Sequence, residues 1–440
     1  MTITELLETA SALGPVEAAL MDTARSLQLT LSMHEEATRR YEALARHVDR
    51  SGSPLEDDVA EVYPSGSFAI HAAIRSKIKR DQHDVDAVLE ISLPLDTKPS
   101  VMLDKLYSAI VNTNDERYRG LKVERNSRCV TVHYSDGVTV DLMPVVRLPG
   151  TPERVANLFH DKLETGESYT KEVNPSGFAS HFNRTVQVSM EFARRFETRR
   201  LLVDGQLLAD GHVLVEKAET QLMPTHLPLE RKSPRVVALQ LLKCFRDKRY
   251  RKHGDHMGRR KPPSVVMAAL ALDAPLGGFS LTDEVLAIAT TMRDAIVAAD
   301  RRGGLIEVRN PAHQADEFTD RWPEDRTAQQ LWAADLRHFV TELTELQRHE
   351  FEPVRVKRVF DDLFGSALAD HILEEHAKAQ NHSILGGASR MSSDGKLHSP
   401  AIGRAWGRAG AKGGVGLGVG AGLIVPARAN TSMGGWIPPE

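Results

Sequence analysis

Two runs in this chain are apolar and β-branched enough to be buried strands, yet each carries carboxylates inside it: DVDAVLEI at 84–91 and VTVDLMPVV at 138–146. A carboxylate among buried neighbours is costly unless something meets its charge. Asp84 and Asp86 are two apart, so on a strand their side chains leave the same face. Asp141 ends a strand of a nearby hairpin, so one sheet can bring all three acids together. Three such acids repel one another unless a cation sits between them, the arrangement that hard, oxygen-seeking Mg²⁺ or Mn²⁺ prefers. Ions held this way lower the pKa of an attacking hydroxyl and neutralise a leaving pyrophosphate. The chemistry this points to is phosphoryl or nucleotidyl transfer. An Asp-x-Asp by itself is common on solvated strands; the apolar flanks are what give it weight.

The hairpin is read from CVTVHYS and VTVDLMPVV, two alternating runs separated by Asp136-Gly137, a pair that tolerates the positive φ of a tight turn. Upstream, the first fifty residues carry apolar positions at helical spacing (Leu6, Leu7 and Ala10, then Leu27, Leu29 and Leu31), and FAIHAAIRSKIKR at 68–80 has the same texture. The α/β texture gives out near residue 170. Beyond it the periodic segments are helical, among them SPRVVALQLLKCFRDKRY and TAQQLWAADLRHFVTELTELQ. The expectation is therefore an α+β protein: a catalytic lobe with a mixed sheet and N-terminal helices over 1–170, packed against a helical lobe over 171–380. A Gly-, Ala- and Ser-rich tail over 381–440 cannot bury enough surface to offset its ordering entropy and is expected to be mobile.

With 440 residues, 26% charged, and a formal net charge of -4, the chain carries no overall positive charge suited to a long nucleic acid, so small substrates are expected. Two cysteines, Cys129 and Cys244, exclude a disulfide scaffold, and no run reaches the roughly 18 to 20 apolar residues of a membrane span. With acidic residues where a signal peptide would be basic, a cytoplasmic location is expected.

Gly66 and Ser67, in VYPSGSF, precede a helical pattern, so a backbone without a Cβ, free amides, a hydroxyl and a helix N-terminus converge on a spot suited to an anion. Alone, this turn reads more readily as a surface turn and N-cap. One helix upstream of an Asp-x-Asp, it reads as a grip for a triphosphate.

The ordered set VYPSGSFAIHAAI, HDVDAVLEI and VTVDLMPVV resembles the Gly-Ser, Asp-x-Asp, Asp signature of polymerase-β-like nucleotidyltransferases. NPSGFASHF at 174–182, PRVVALQLLKCFRD at 234–247, KPPSVVMAAL at 261–270 and RNPAHQADEFTDRW at 309–322 are similar to segments of bacterial cGAS/DncV-like nucleotidyltransferases, the CD-NTases of CBASS anti-phage defence. The resemblance implies a two-lobed enzyme that uses Mg²⁺, with Mn²⁺ as an alternative, to join nucleoside triphosphates into a cyclic di- or trinucleotide. That product would activate a separate effector, with regulatory or conjugating CBASS proteins as further partners. By matching positions, Asp84, Asp86 and Asp141 would bind metal, Asp141 would help activate the acceptor hydroxyl, and Gly66 and Ser67 would hold the donor phosphates. Lys243 falls where the family places a lysine reaching the triphosphate, and Ser264 where it places a small hydroxyl beside it. From the residues alone, Lys243 also reads as a solvated lysine on an amphipathic helix and Ser264 as an N-cap. The chain departs from the family at His71-Ala72, where a glycine and threonine are usual, which implies different packing of that loop.

Other features are set aside. Cys244, His253 and His256 lack the fourth ligand of a structural zinc site. The run RDKRYRKHGDHMGRRK, Arg246 to Lys261, is the strongest basic cluster but lacks interleaved aromatics for stacking bases beyond Tyr250, so RNA is not the expected partner. The tail's GAKGGVGLGVG lacks the ending of a phosphate loop. Two rival functions remain: transfer to RNA ends or a protein using the same acids, and a nucleotide-binding sensor that does not turn its ligand over.

Overall fold

The computed structural model describes residues 13–75, 83–152, 154–204, 222–252, 254–278, 280–348 and 352–385, with three short stretches between 390 and 426. The chain begins with helices α1 (Pro15–Ser26) and α2 (Leu31–Val48). Strand β1 (Val59–Pro64), a short helix α3 (Gly66–Ala69), strand β2 (His83–Ile91) and helix α4 (Pro99–Val111) follow. Next come β3 (Lys122–Arg125), β4 (Val130–His133), β5 (Val138–Arg147), β6 (Ala156–Lys162) and β7 (Glu167–Val173). These strands make a seven-stranded sheet in the order β1-β2-β5-β4-β3, with β6 on β5 and β7 on β6. Strand β5 is the hub. It runs parallel to β2 along one edge, while its other edge pairs antiparallel with β4 over 139–142 and with β6 over 145–147.

Period-two patterning decides which way each strand faces. Val85, Ala87, Leu89 and Ile91 of β2, with Val138, Val140 and Leu142 of β5, bury beneath α2 and α4 against Tyr41, Leu44, Met102 and Leu106. The alternate positions, Asp84 and Asp86 on β2 and Thr139, Asp141 and Met143 on β5, face the other way, toward the second lobe. The expected hairpin forms, its turn closed by Gly137 at φ 92° and by Tyr134 N donating to Val138 O at 2.9 Å. Asp141, expected at a strand end, lies inside the ten-residue β5.

Past Val173 come α5 (Pro175–Thr185), α6 (Met190–Asp204), α7 (Pro234–Lys252), α8 (Ser264–Leu272) and α9 (Leu281–Arg301). A hairpin of β8 (Arg309–Asn310) and β9 (His313–Glu317) precedes α10 (Arg326–Arg348), α11 (Pro353–Phe364) and α12 (Ser366–Leu385). Helix α7 is the axis of this lobe: from Arg235 to Arg246 its residues are buried, with Val237, Leu241, Leu242 and Phe245 in the core beside Trp332 and Phe339. A helix buried nearly all round has to be central, and its buried polar members Arg235, Gln240, Lys243 and Arg246 each find a partner.

Two local expectations change. Both N-terminal helices were placed with the sheet, but α1 buries Val16, Leu20 and Met21 in the helical core, where the Glu17 carboxylate accepts from Leu281 N and Thr282 N at 2.7 and 2.8 Å at the start of α9. Burying a carboxylate at a helix N-terminus meets both its charge and the free amides. The helix expected over 68–80 ends at Ala69. His71 takes φ 56°, a left-handed conformation that cannot continue an α-helix, and Ala72 N turns back to Ser67 O at 2.8 Å. Residues 76–80 of that stretch lie outside the described residues, as do Leu6, Leu7 and Ala10 and nearly all of the tail expected to be mobile.

Candidate active site

The parallel register of β2 and β5 sets Asp86 opposite Asp141 and Asp84 opposite Thr139. Neighbouring strands lie about 4.8 Å apart, so two carboxylates in register on one face cannot avoid each other's field. Burial, then the charges of Asp141 and Asp84, push the Asp86 carboxyl up to about 7. Burial and the Asp84 charge raise Asp141 as well, while Thr131 opposes the shift by donating from Oγ1 to Asp141 Oδ1 at 2.5 Å. Thr131 is oriented in turn by Asn126 Nδ2 at 2.7 Å, and Thr139 Oγ1 donates to Asp84 Oδ1.

Gly66 and Ser67 sit directly over Asp86. Ser65 N donates to the Asp86 carbonyl at 2.8 Å, and Ser67 N–H donates to the Asp86 carboxylate. Gly66 adopts φ 56°, and a Cβ built on it would lie 2.0 Å from Asp86 Oδ2. Glycine is demanded here twice, by conformation and by space.

Helix α7 closes the site from the other lobe. Lys243, 5% exposed, donates from Nζ to the carbonyl of Ala72 at 2.8 Å, and Gln240 Nε2 donates to Ala73 O at 2.7 Å. Burial and the neighbouring Arg246 charge lower Lys243 to about 8, against the opposing pull of Asp247 and Asp86. The lysine is thus a buried cation beside the acids, not a solvated one on a helix face. Ser264 is the first residue of α8, with Pro263 as its cap, and its Oγ accepts from Arg246 Nη1 at 2.9 Å. All seven residues singled out in the sequence line one cleft. It has two connected chambers of about 450 and 610 Å³, which share Ser67, Asp86, Asp141, Lys243 and Ser264.

The donor set suits a hard divalent cation: three carboxylates, two with raised proton affinity, and threonine hydroxyls as neighbours of Asp84 and Asp141. Among the described residues, no three His, Cys, Asp or Glu side chains converge as they stand into a metal-binding group. Asp84 is turned onto Thr139 and Asp141 onto Thr131, while the register holds Asp86 opposite Asp141.

Sequence reasoning did not single out several other residues of the cleft. Arg128 and Lys171 from the sheet meet Asp320 from the loop after β9. Asp316 Oδ2 accepts from Asn174 N at 3.1 Å and Asn310 Nδ2 at 3.0 Å, tying the end of β7 to the β8–β9 hairpin. Phe178 and Phe318, rings 5.1 Å apart, add an apolar wall. Asn174 and Phe178 lie in NPSGFASHF, and Asn310, Asp316, Phe318 and Asp320 in RNPAHQADEFTDRW, segments too short to read by periodicity, while Arg128 and Lys171 lie in neither. The residues weighed for zinc do not assemble here: Cys244 is buried, His256 lies against Tyr250 with Nε2 2.9 Å from Asp335, and His253 lies outside the described residues.

Residues 15–172 match the family described as the Second Messenger Oligonucleotide or Dinucleotide Synthetase domain. The chain is 31% identical over 424 residues to the cyclic dinucleotide synthase CdnG of Bradyrhizobium diazoefficiens, covering 96% of this chain and 95% of that protein. The structure of that CD-NTase in complex with GTP superposes with a TM-score of 0.68 at 30% identity, over 82% of this chain and 99% of the other. CdnC of Escherichia coli MS115-1 with ATP shares the fold, with a TM-score of 0.53 at 14% identity, over 80% of this chain and 98% of that one.

Proposed function

We propose, from the premise that this chain belongs to the CD-NTase family, that its cleft joins nucleoside triphosphates into a cyclic di- or trinucleotide. Nucleotidyl transfer and cyclic oligonucleotide synthesis follow from that membership. The observation that supports this site for the reaction is the register of Asp86 against Asp141, directly beneath the Gly66–Ser67 turn.

Asp84, Asp86 and Asp141 would hold Mg²⁺, or Mn²⁺ in its place, and such an ion supplies charge neutralisation and a lowered pKa for a bound hydroxyl. The chain's own groups do the rest. The hydroxyl of Ser67, on the turn that Gly66 makes over Asp86, receives donor phosphates, and Lys243 and Ser264 meet the same triphosphate from the helical lobe. An acceptor hydroxyl oxygen forms a bond to the α-phosphorus as the bond to the leaving pyrophosphate breaks. The hydroxyl proton passes to Asp141 Oδ2, since Oδ1 is occupied by Thr131. A second transfer of the same kind closes a two-membered ring, and a third closes a three-membered one.

GTP, the nucleotide held by the Bradyrhizobium relative, is the first substrate to try. The proposal includes the setting that the longer resemblance implies: anti-phage signalling through an effector that the product activates, with regulatory or conjugating partners. Against RNA as acceptor stands the fate of the basic run. Arg246 and Lys261 meet Asp247, Arg249 meets Asp335, and Arg259 meets Asp325, so part of the run's charge is met within the protein. Among the described residues no helix is long and apolar enough to cross a membrane.

The test is incubation of the purified chain with labelled ATP, GTP, CTP and UTP and Mg²⁺ or Mn²⁺, then phosphatase, beside an Asp84→Ala, Asp86→Ala control. A phosphatase-resistant product absent from the control is expected. Pyrophosphate release with only phosphatase-sensitive products would reject ring closure.

A further inference from the structure

The turn that carries Gly66 and Ser67 does not hold itself. The chain leaves it through a strap, Ile70 to Arg75, that is neither helix nor strand. Ala72 N closes the turn by donating to Ser67 O at 2.8 Å, and His71 just before it takes φ 56°. A histidine in the left-handed region is strained, and it persists only where its surroundings over-determine the backbone.

The helical lobe supplies those surroundings. Ile70 and Ala72 are buried in its core, while Phe68 and Ala73 on either side of them are buried in the core of the sheet. Three carbonyls along Ala69–Ala73 accept from helical-lobe side chains: Ala69 O from Asn183 Nδ2 of α5 at 2.9 Å, Ala72 O from Lys243, and Ala73 O from Gln240 Nε2. At the far end Arg75 donates from N to Leu27 O at 3.0 Å and from Nε to Ser26 O at 2.7 Å.

The orientation of Gln240 is set from a distance. It is fully buried, and a carbonyl can only accept, so its amide has to present Nε2 to Ala73. Its Oε1 then accepts from Gln28 Nε2 at 3.0 Å, which leaves Gln28 Oε1 to accept from Lys232 Nζ at 2.7 Å. A longer contact from Gln240 Nε2 to Gln28 Oε1, 3.4 Å, favours the same direction, and Gln28 Nε2 is also tied to Ala24 O at 2.7 Å. With a donor at one end and an acceptor at the other, both amides are fixed one way round. Reversing either would set like groups face to face, at a cost that burial magnifies.

We infer that Gln28 and Gln240 are positioning residues for the donor nucleotide. Neither lines the cleft; by holding the Ala73 carbonyl they keep the strap, and with it Ser67, in place over Asp86. This rests on the reading of the cleft as a nucleoside triphosphate site. It also accounts for the departure at His71-Ala72, since a strap with a strained histidine needs anchors along its length.

The experiment reads binding separately from folding. The probe is whichever of the α,β-methylene analogues of ATP, GTP, CTP and UTP the parent chain binds most tightly with Mg²⁺, followed by titration calorimetry on the full chain. Gln240→Met is expected to weaken Kd about tenfold, the size of one lost buried hydrogen bond, and Gln28→Met about threefold. Because the two act as one chain, the double variant should bind no more weakly than Gln240→Met alone. A merely structural role would lower the fraction of chains that bind, read as the stoichiometry, and leave Kd unchanged; that result, or losses that multiply in the double variant, would overturn the inference. Gln28→Met, at a half-buried position, decides the matter by itself if Gln240→Met does not fold: an unchanged Kd there overturns the inference as well. A parent chain that binds none of the four analogues would instead overturn the reading of the cleft, and the positioning role with it.

Discussion

Gly66 and Asp86 compete for the same space: the Asp86 carboxylate occupies the position that any side chain on Gly66 would need, with Oδ2 2.0 Å from a Cβ built there. The turn is pressed closely onto the acid, and Ser67 N–H donates to its carboxylate. Gly66→Ala is therefore expected to displace Asp86 as well as to strain the backbone, and to lower nucleotide turnover by roughly 100-fold or more while the far-ultraviolet spectrum stays native. Turnover within a few-fold of the parent would show that the close approach is incidental.

Single replacement of Asp84, Asp86 or Asp141 by Ala should abolish pyrophosphate release, on the order of a thousand-fold, and chelation should do the same reversibly. The metal-free Asp86→Asn protein should melt at a higher temperature than its parent, because buried repulsion with Asp141 and Asp84 is removed. Calorimetry in EDTA reads this directly, and a lower melting temperature would contradict the account of the repulsion.

Lys243 spans the lobes, and its loss should be felt on both sides. Lys243→Met is expected to cut kcat/KM by roughly 10- to 100-fold and to speed amide exchange at Ser67–Arg75, whose Ala72 carbonyl it holds. Lost activity with unchanged exchange would assign the lysine to the nucleotide alone.

Lys232 offers a pH test away from the acids. It is 7% exposed and donates from Nζ to Gln28 Oε1 at 2.7 Å, and burial, with the charge of Lys243, lowers it to about 7 from an ordinary 10.5. Between these two values the unfolded chain binds the proton and the folded one does not, so stability rises with pH through that window, by at most about 1.4 kcal/mol per unit. Below about 7 both states are protonated and the contribution is flat. Urea unfolding at pH 7, 8 and 9 should show this slope in the parent and a shallower one in Lys232→Met; parallel curves would mean that the lysine keeps its charge when folded.

Much of this protein was legible before any coordinates. Apolar runs interrupted by Asp84, Asp86 and Asp141 determine that those acids are on strands and that something must meet their charge, because local alternation is written in neighbouring residues. The hairpin turn at Asp136-Gly137, the helical second half and the family resemblance are of the same kind, set by short segments read in order. What the sequence does not contain is register. That Asp86 faces Asp141 across a parallel pair, that α1 leaves the sheet to cap α9 through Glu17, and that α3 stops so that Ala72 can meet Lys243 all depend on contacts between residues far apart in the chain. The same holds for the basic run, where Asp247, Asp325 and Asp335 neutralise part of its charge while Arg260 remains open to the cleft. Charge in a sequence is only a supply; which charges are free is decided by the partners that folding brings to them.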